Sequence, residues 1–253
     1  MLERWSPVPK TIVATIHSRP EPSSRPDFYD DLRRLNSAIV MYQRDQSFLE
    51  QYVKSGKVAF IRHGVDIEFF TPAVGDFPGP RRLLYIGING RDLRMLEEVM
   101  QSLAAAEPEL QFDFVVPRGL PALRKLWGHR NITWHRHISD EALRSLYQGS
   151  YLLLLPLITS GANNAVVEAL ACGLPPVTTD VGGIRDYGGG TLYPLVAQGD
   201  APAMVSLIRD YLHDPVWRSR VGRACRAFAE EQLRWPLIAQ QHLEFYRRLL
   251  TEQ

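Results

Sequence analysis

Cysteine is scarce in this chain: Cys172 and Cys225 are the only two among 253 residues. Two cysteines make no disulfide framework, and the simplest role for Cys172 is that of a small buried hydrophobe. Net charge is equally scant. Lys and Arg number 29 against 28 Asp and Glu, a formal balance of +1. That balance gives no electrostatic case for nucleic acid, and pairs such as Arg33-Arg34 and Arg247-Arg248 read as solvated helix faces. No apolar run approaches the roughly 20 residues that a membrane span needs. The opening residues, Met1 to Pro7, lack the apolar core of a signal peptide. A cytoplasmic protein is the expectation, and a peripheral place at the inner membrane face is compatible with it. His135 and His137 have no Cys, Asp or third His at ligand spacing, so no metal site is expected.

What is present is ordinary for a globular chain, with 45% hydrophobic and 23% charged residues. The length suits one large domain or two small ones. Thr11–Ile16 reads as a β-branched strand ending at His17, and a Pro- and Ser-rich loop follows, residues 18–26. Helix over 27–35, strand over 38–42, helix over 43–54 and strand over 58–61 come next. The Pro/Gly-rich stretch 64–80 is the best domain boundary. A second series follows it: strand 82–86, helix 92–103, strand 111–116, a short helix 121–127, strand 132–134 and helix 140–148 capped by Ser139. Strand 152–155, helix 165–172, strand 176–179 and strand 190–193 continue the series. Helices over 202–212, 215–232 and 237–251 close the chain. Strand and helix alternate, which predicts an α/β fold with parallel, doubly wound sheet.

Glu168 stands out, because it is the only charged residue between Arg144 and Asp180. A carboxylate in an apolar stretch is costly to bury without a partner. Tyr151–Leu155 is a continuous apolar run suited to a strand covered on both faces, and Pro156 ends it. Ser160-Gly161-Ala162-Asn163-Asn164 then supplies small residues, with Asn163 or Asn164 as the cap of the next helix. Gly173 and Pro175 stop that helix. The loop leaves backbone N–H groups at a helix N-terminus, where a phosphate is favoured. One turn on, Glu168 is placed either to accept hydrogen bonds from a sugar's hydroxyls or to be satisfied by the backbone of a neighbouring loop.

These pieces, in order, resemble the retaining glycosyltransferases of the GT-B fold, family 4 or group 1 class. Ile61-Arg-His-Gly-Val-Asp66 with Phe70-Thr-Pro72 is similar to the family's joint between two Rossmann-like domains. Leu83-Leu-Tyr-Ile-Gly87 resembles the first strand of its donor-binding domain. His137-Ile-Ser-Asp-Glu-Ala-Leu143 with Leu146-Tyr147 resembles a further family stretch. The most specific match is Asn164–Pro175 followed by Thr179-Asp-Val-Gly-Gly183. Trp235 and the last helix resemble the family's C-terminal crossover helix.

The resemblance implies a truncated N-terminal Rossmann-like part and joint over 1–75. It implies a complete nucleotide-sugar-binding domain over 76–234 and a crossover helix over 235–253. Only three strands precede the joint, roughly a hundred residues short of a complete first domain. A partner chain, a homodimer or a genuinely reduced acceptor domain would account for the sheet edge this leaves.

The implied activity is transfer of a sugar from a nucleotide-sugar to a carbohydrate, lipid-linked or small-molecule acceptor, retaining, metal-independent and without a cofactor. Glu168 matches the glutamate that holds the nucleotide ribose. The family's other glutamate would fall at position 160, which is Ser160 here, and a serine brings no negative charge to an oxocarbenium-like transition state. The usual arginine position after the first strand is Ile88, with no lysine near. Arg91, beside Gly90, is the cation at hand for the leaving diphosphate, or else a solvent-exposed arginine in the first helical turn. Arg118 is a further candidate. His17 would face the donor sugar or is a surface histidine at a strand end. His137 and Ile138 would meet the base, and Gly161, Ala162, Asn163 and Asn164 the phosphates and sugar. Ser160, the lost Arg/Lys pair and the short first half favour an alternative, a subunit-type or non-catalytic GT-B protein that needs a partner chain. A dinucleotide-dependent oxidoreductase fits poorly. Gly87 and Gly90 do not form the tight glycine fingerprint, and Val116-Pro117-Arg118 offers no acidic residue.

Overall fold

A computed structural model describes residues 11–17, 27–53, 56–74, 80–116 and 121–251. The chain divides into two compact units, one of residues 1–63 and 236–253, the other of residues 64–235.

The first unit carries a parallel sheet in the order β1-β2-β3, built from β1 (Val13–Ile16), β2 (Ser37–Val40) and β3 (Val58–Phe60). Helices α1 (Phe28–Arg33) and α2 (Arg44–Leu49) connect the strands, and α8 (Trp235–Thr251) supplies the second layer. The central strand shows why the layers form. Ala38 and Val40 pack with Phe28, Leu32 and Leu49 of α1 and α2. Ile39, between them, packs with Ile238, Phe245 and Leu249 of α8. Successive side chains of a strand leave on opposite faces, so an unbroken apolar run needs cover on both.

The second unit holds a six-stranded parallel sheet in the order β6-β5-β4-β7-β8-β9. Its strands are β4 (Arg82–Ile86), β5 (Gln111–Val115), β6 (Ile132–His135), β7 (Leu152–Leu155), β8 (Pro176–Thr179) and β9 (Leu195–Val196). Its helices are α3 (Leu93–Ala106), α4 (Asp140–Gly149), α5 (Asn164–Ala171), α6 (Ala201–His213) and α7 (Pro215–Gln232). All four residues of β7 and all four of β8 are buried. Side chains of Asp92, Ser139, Asp200 and Asp214 accept the amides of Met95, Ala142, Ala203 and Trp217, fixing the starts of α3, α4, α6 and α7.

Strand order decides where a ligand can enter. From β4 the chain winds outward through β5 and β6, then returns to lay β7 on the other side of β4. The loops after β4 and β7 therefore diverge at a switch point, where open α/β sheets form a crevice at their C-terminal edge.

One expectation is corrected. The strand over 190–193 does not form. Gly188 and Gly190 take φ of 90° and 78°, and the Gly190 amide turns back to the Tyr193 carbonyl at 2.8 Å, so the last strand is β9 at Leu195–Val196. The short helix expected over 121–127 forms as a 3-10 helix, Pro121–Leu126.

Candidate functional site

The loop after β4 is tied to the loop after β7. The Gly90 carbonyl accepts the Ile158 amide at 2.9 Å, and the Asp92 amide donates to the Pro156 carbonyl at 2.9 Å. Gly90 has φ of 70°, and a Cβ there would lie 2.6 Å from the Thr159 carbonyl oxygen. Only glycine takes that backbone and that approach without strain.

The loop after β8 closes on the same segment. The Gly183 amide donates to the Ser160 carbonyl at 3.1 Å. Gly182, at φ 56°, would set a Cβ 1.8 Å from that same oxygen. The Thr179 hydroxyl takes the Leu157 amide at 2.9 Å and donates to the Leu157 carbonyl at 2.7 Å. Three loops are thus locked together at the switch point, and the sequence stretches Ser160–Asn164 and Thr179–Gly183 meet there.

Ser160 is buried, and its hydroxyl donates to the Gly161 carbonyl at 3.1 Å. Asn163 holds the N-cap position of α5 but does not cap with its side chain; its amide nitrogen lies 3.4 Å from Ser160 Oγ instead. The expectation of a capping asparagine is corrected accordingly. The first-turn N–H groups of a helix have no partner within it, and here the N-cap side chain leaves them to others.

Glu168 is partly buried, one turn into α5. Its partner is the Tyr147 hydroxyl, which donates to Oε2 at 2.7 Å from α4, rather than the backbone of a loop. Burial pushes the Glu168 carboxyl up to about 7, the Tyr147 bond works against that rise, and Asp140 adds to it. A carboxylate kept so poorly solvated gains strongly from hydroxyl donors. Burial and the Glu168 charge hold the Tyr147 hydroxyl well above its ordinary value, with Arg91 pulling the other way. Tyr147 therefore lies within the field of both Glu168 and Arg91.

Arg91 is half-buried rather than exposed in a first turn. Its Nε and Nη2 donate to the Ile86 carbonyl at 3.0 and 2.8 Å, and its Nη1 to the Asn89 carbonyl at 3.0 Å. A guanidinium has five N–H donors, so these bonds fix its plane and leave donors over. Burial lowers its pKa, while the nearby Tyr85 and Tyr147 work the other way. The Tyr85 hydroxyl is buried, with no hydrogen-bond partner among the described residues.

The remaining candidates scatter. His137 is exposed just after β6 and takes a left-handed φ of 51°, with Ile138 half-buried beside it. His135 is committed to Asp113, at 2.7 Å, a carboxylate that also takes Arg82 at 2.6 Å. His17 is exposed after β1, in the other unit. Arg118 lies outside the described residues. Among the described residues no group of three His, Cys, Asp or Glu is arranged to hold a metal. The role of Tyr147 was missed by sequence reasoning. It stood only as part of a motif, and its partner is 21 residues away.

Residues 80–214 match the family model described as glycosyl transferases group 1. Among curated relatives, the chain is 25% identical over 215 residues to a D-inositol 3-phosphate glycosyltransferase of Streptomyces avermitilis, covering 74% of this chain and 46% of that protein. The chain spans about half the length of the curated relatives it matches. Among solved structures, the sucrose-phosphate synthase of Thermosynechococcus elongatus aligns over 96% of this chain and 69% of its own, with a TM-score of 0.80 and 20% identity. Anabaena HepE in complex with UDP-glucose aligns over 93% of this chain and 72% of its own, at TM-score 0.75 and 16% identity. At such identities these likenesses establish the GT-B fold.

Proposed function

The chain belongs to the group 1 glycosyl transferases, and from that premise we propose that it carries the donor half of a sugar transfer from a nucleotide-sugar to an acceptor, retaining and metal-independent. The observation that carries this reading is the Glu168 carboxyl beside the switch-point crevice, raised to about 7 by burial and offered one turn into α5. A ribose presents two adjacent hydroxyl donors, which suit a carboxylate short of solvation. The α5 amides favour the diphosphate. Arg91, its plane fixed by the Ile86 and Asn89 carbonyls, would meet charge developing on the leaving group. Ser160 can offer a hydroxyl but no charge, so the leaving diphosphate itself would take the acceptor's proton.

Titration calorimetry with UDP, GDP and ADP tests this. At least one should bind, and Glu168→Ala should weaken it tenfold or more, as for a lost charged hydrogen bond of about 1.5–3 kcal/mol. No binding by the wild type, or equal binding by the variant, would overturn the reading.

A second reading has its own support in Ser160, whose hydroxyl is turned to the Gly161 carbonyl. In it the chain binds the nucleotide but depends on another chain for transfer. Turnover of a bound nucleotide-sugar by the isolated chain rejects it.

A further inference from the structure

One cavity of the second unit lies away from the switch-point loops. It has a volume of about 480 Å³ and opens where β7 begins and α5 ends, against α7. Among the described residues its lining carries Arg218, Arg223 and Arg226 with one carboxylate, Glu230.

Each guanidinium is held in place by mostly neutral groups. Arg218 Nε donates to the Tyr151 carbonyl at 3.0 Å, and the guanidinium lies over the Tyr151 ring at 5.0 Å. Burial presses Arg218 below its ordinary pKa, so an incoming anion would find it poorly solvated. Arg223 Nη1 donates to the Ser219 hydroxyl at 2.8 Å. Arg226 spans the carbonyls of Ile67, Phe70 and Ala171 and takes Glu230 through Nε at 2.6 Å. Among the described lining residues three positive charges face one negative, an excess of two. Asp214, which caps the first turn of α7, leaves the guanidinium cluster rather than that helix end as the anion-attracting feature.

The floor is rigid for a packing reason. A Cβ on Gly222 of α7 would stand 2.5 Å from the Gly173 carbonyl oxygen, so α7 rides directly on the end of α5. A cavity of a few hundred cubic ångströms suits a small molecule, and an excess of two positive charges matches a phosphate monoester, which carries about −1.5 to −2 near neutral pH.

We propose that this cavity is a second ligand site, distinct from the donor crevice, for a small phosphate monoester held by Arg218, Arg223 and Arg226. The charge cluster and the cavity carry the proposal whether or not the donor reading holds.

The experiment is calorimetry with glycerol 3-phosphate, with glycerol as the uncharged control, in the presence and absence of saturating UDP. One equivalent of glycerol 3-phosphate should bind and glycerol should not, and UDP should leave the binding in place. Arg223→Glu reverses a charge on an exposed side chain, so the fold should survive, with an unchanged far-UV spectrum and melting temperature. That variant should bind glycerol 3-phosphate at least tenfold more weakly, and Arg223→Lys should retain most of the affinity. Three results would overturn the proposal: no saturable binding, displacement by UDP, or equal binding by Arg223→Glu.

Discussion

Glu168 titrates as an acid out of place. Its folded carboxyl is pushed up to about 7 against an ordinary 4.5, chiefly by burial. The folded chain then keeps a proton that the unfolded chain has lost. This group's contribution to stability is present below pH 4.5 and is lost as pH rises through 7. Glu168→Gln removes that loss while an amide oxygen still accepts from Tyr147. The variant should gain on the order of 2 kcal/mol over wild type between pH 4.5 and pH 8, allowing for partial exposure. Urea unfolding across that range checks it, and a gap between the two proteins that does not change with pH would refute it. The isolation of Glu168 was legible in the sequence, since no other charge falls between Arg144 and Asp180. Its partner was not. Tyr147 sits on another helix, and periodicity relates residues within an element rather than across two.

The loops at the switch point behave as one element, fastened by the approach of Gly182 to Ser160. Gly182→Ala would drive a Cβ to 1.8 Å from backbone that cannot swing aside, at a φ of 56°. About 3 kcal/mol or more of stability should be lost, and nucleotide affinity should fall with it. Thermal unfolding and calorimetry on the same preparation test this; a variant as stable as wild type would mean the loops are free to part. The segments around this element were readable because their signals are local. The apolar run before Pro156 gave β7, and Gly173 with Pro175 ended α5. The strand expected over 190–193 failed for an equally local reason, the run Gly188-Gly189-Gly190, whose backbone folds into a turn. The Asn163 cap failed because Ser160 competes for its side chain.

For the whole molecule, alternation of strand and helix announced parallel sheet, while the division into two units falls between His63 and Gly64. The strand order could not be read the same way. That β7 returns to the flank of β4 is a pairing between Leu83 and Leu152 and between Leu84 and Leu153, and alternation alone does not encode which neighbour a strand chooses. The division also bears on the two cysteines. Cys172 ends α5 and Cys225 lies within α7, both in the second unit, and burial pushes each thiol up to about 12. At pH 8 only about one such thiol in ten thousand is a thiolate, the form that attacks a disulfide reagent. In native buffer neither should label within minutes, and in urea both should. With Cys172→Ala, Cys225 alone reports, and its labelling rate becomes a built-in clock for the opening of the second unit. Rapid labelling of Cys225 in the native state would show that α7 lifts without global unfolding. The chain's scarcest side chain therefore doubles as the gauge of how often its larger core comes apart.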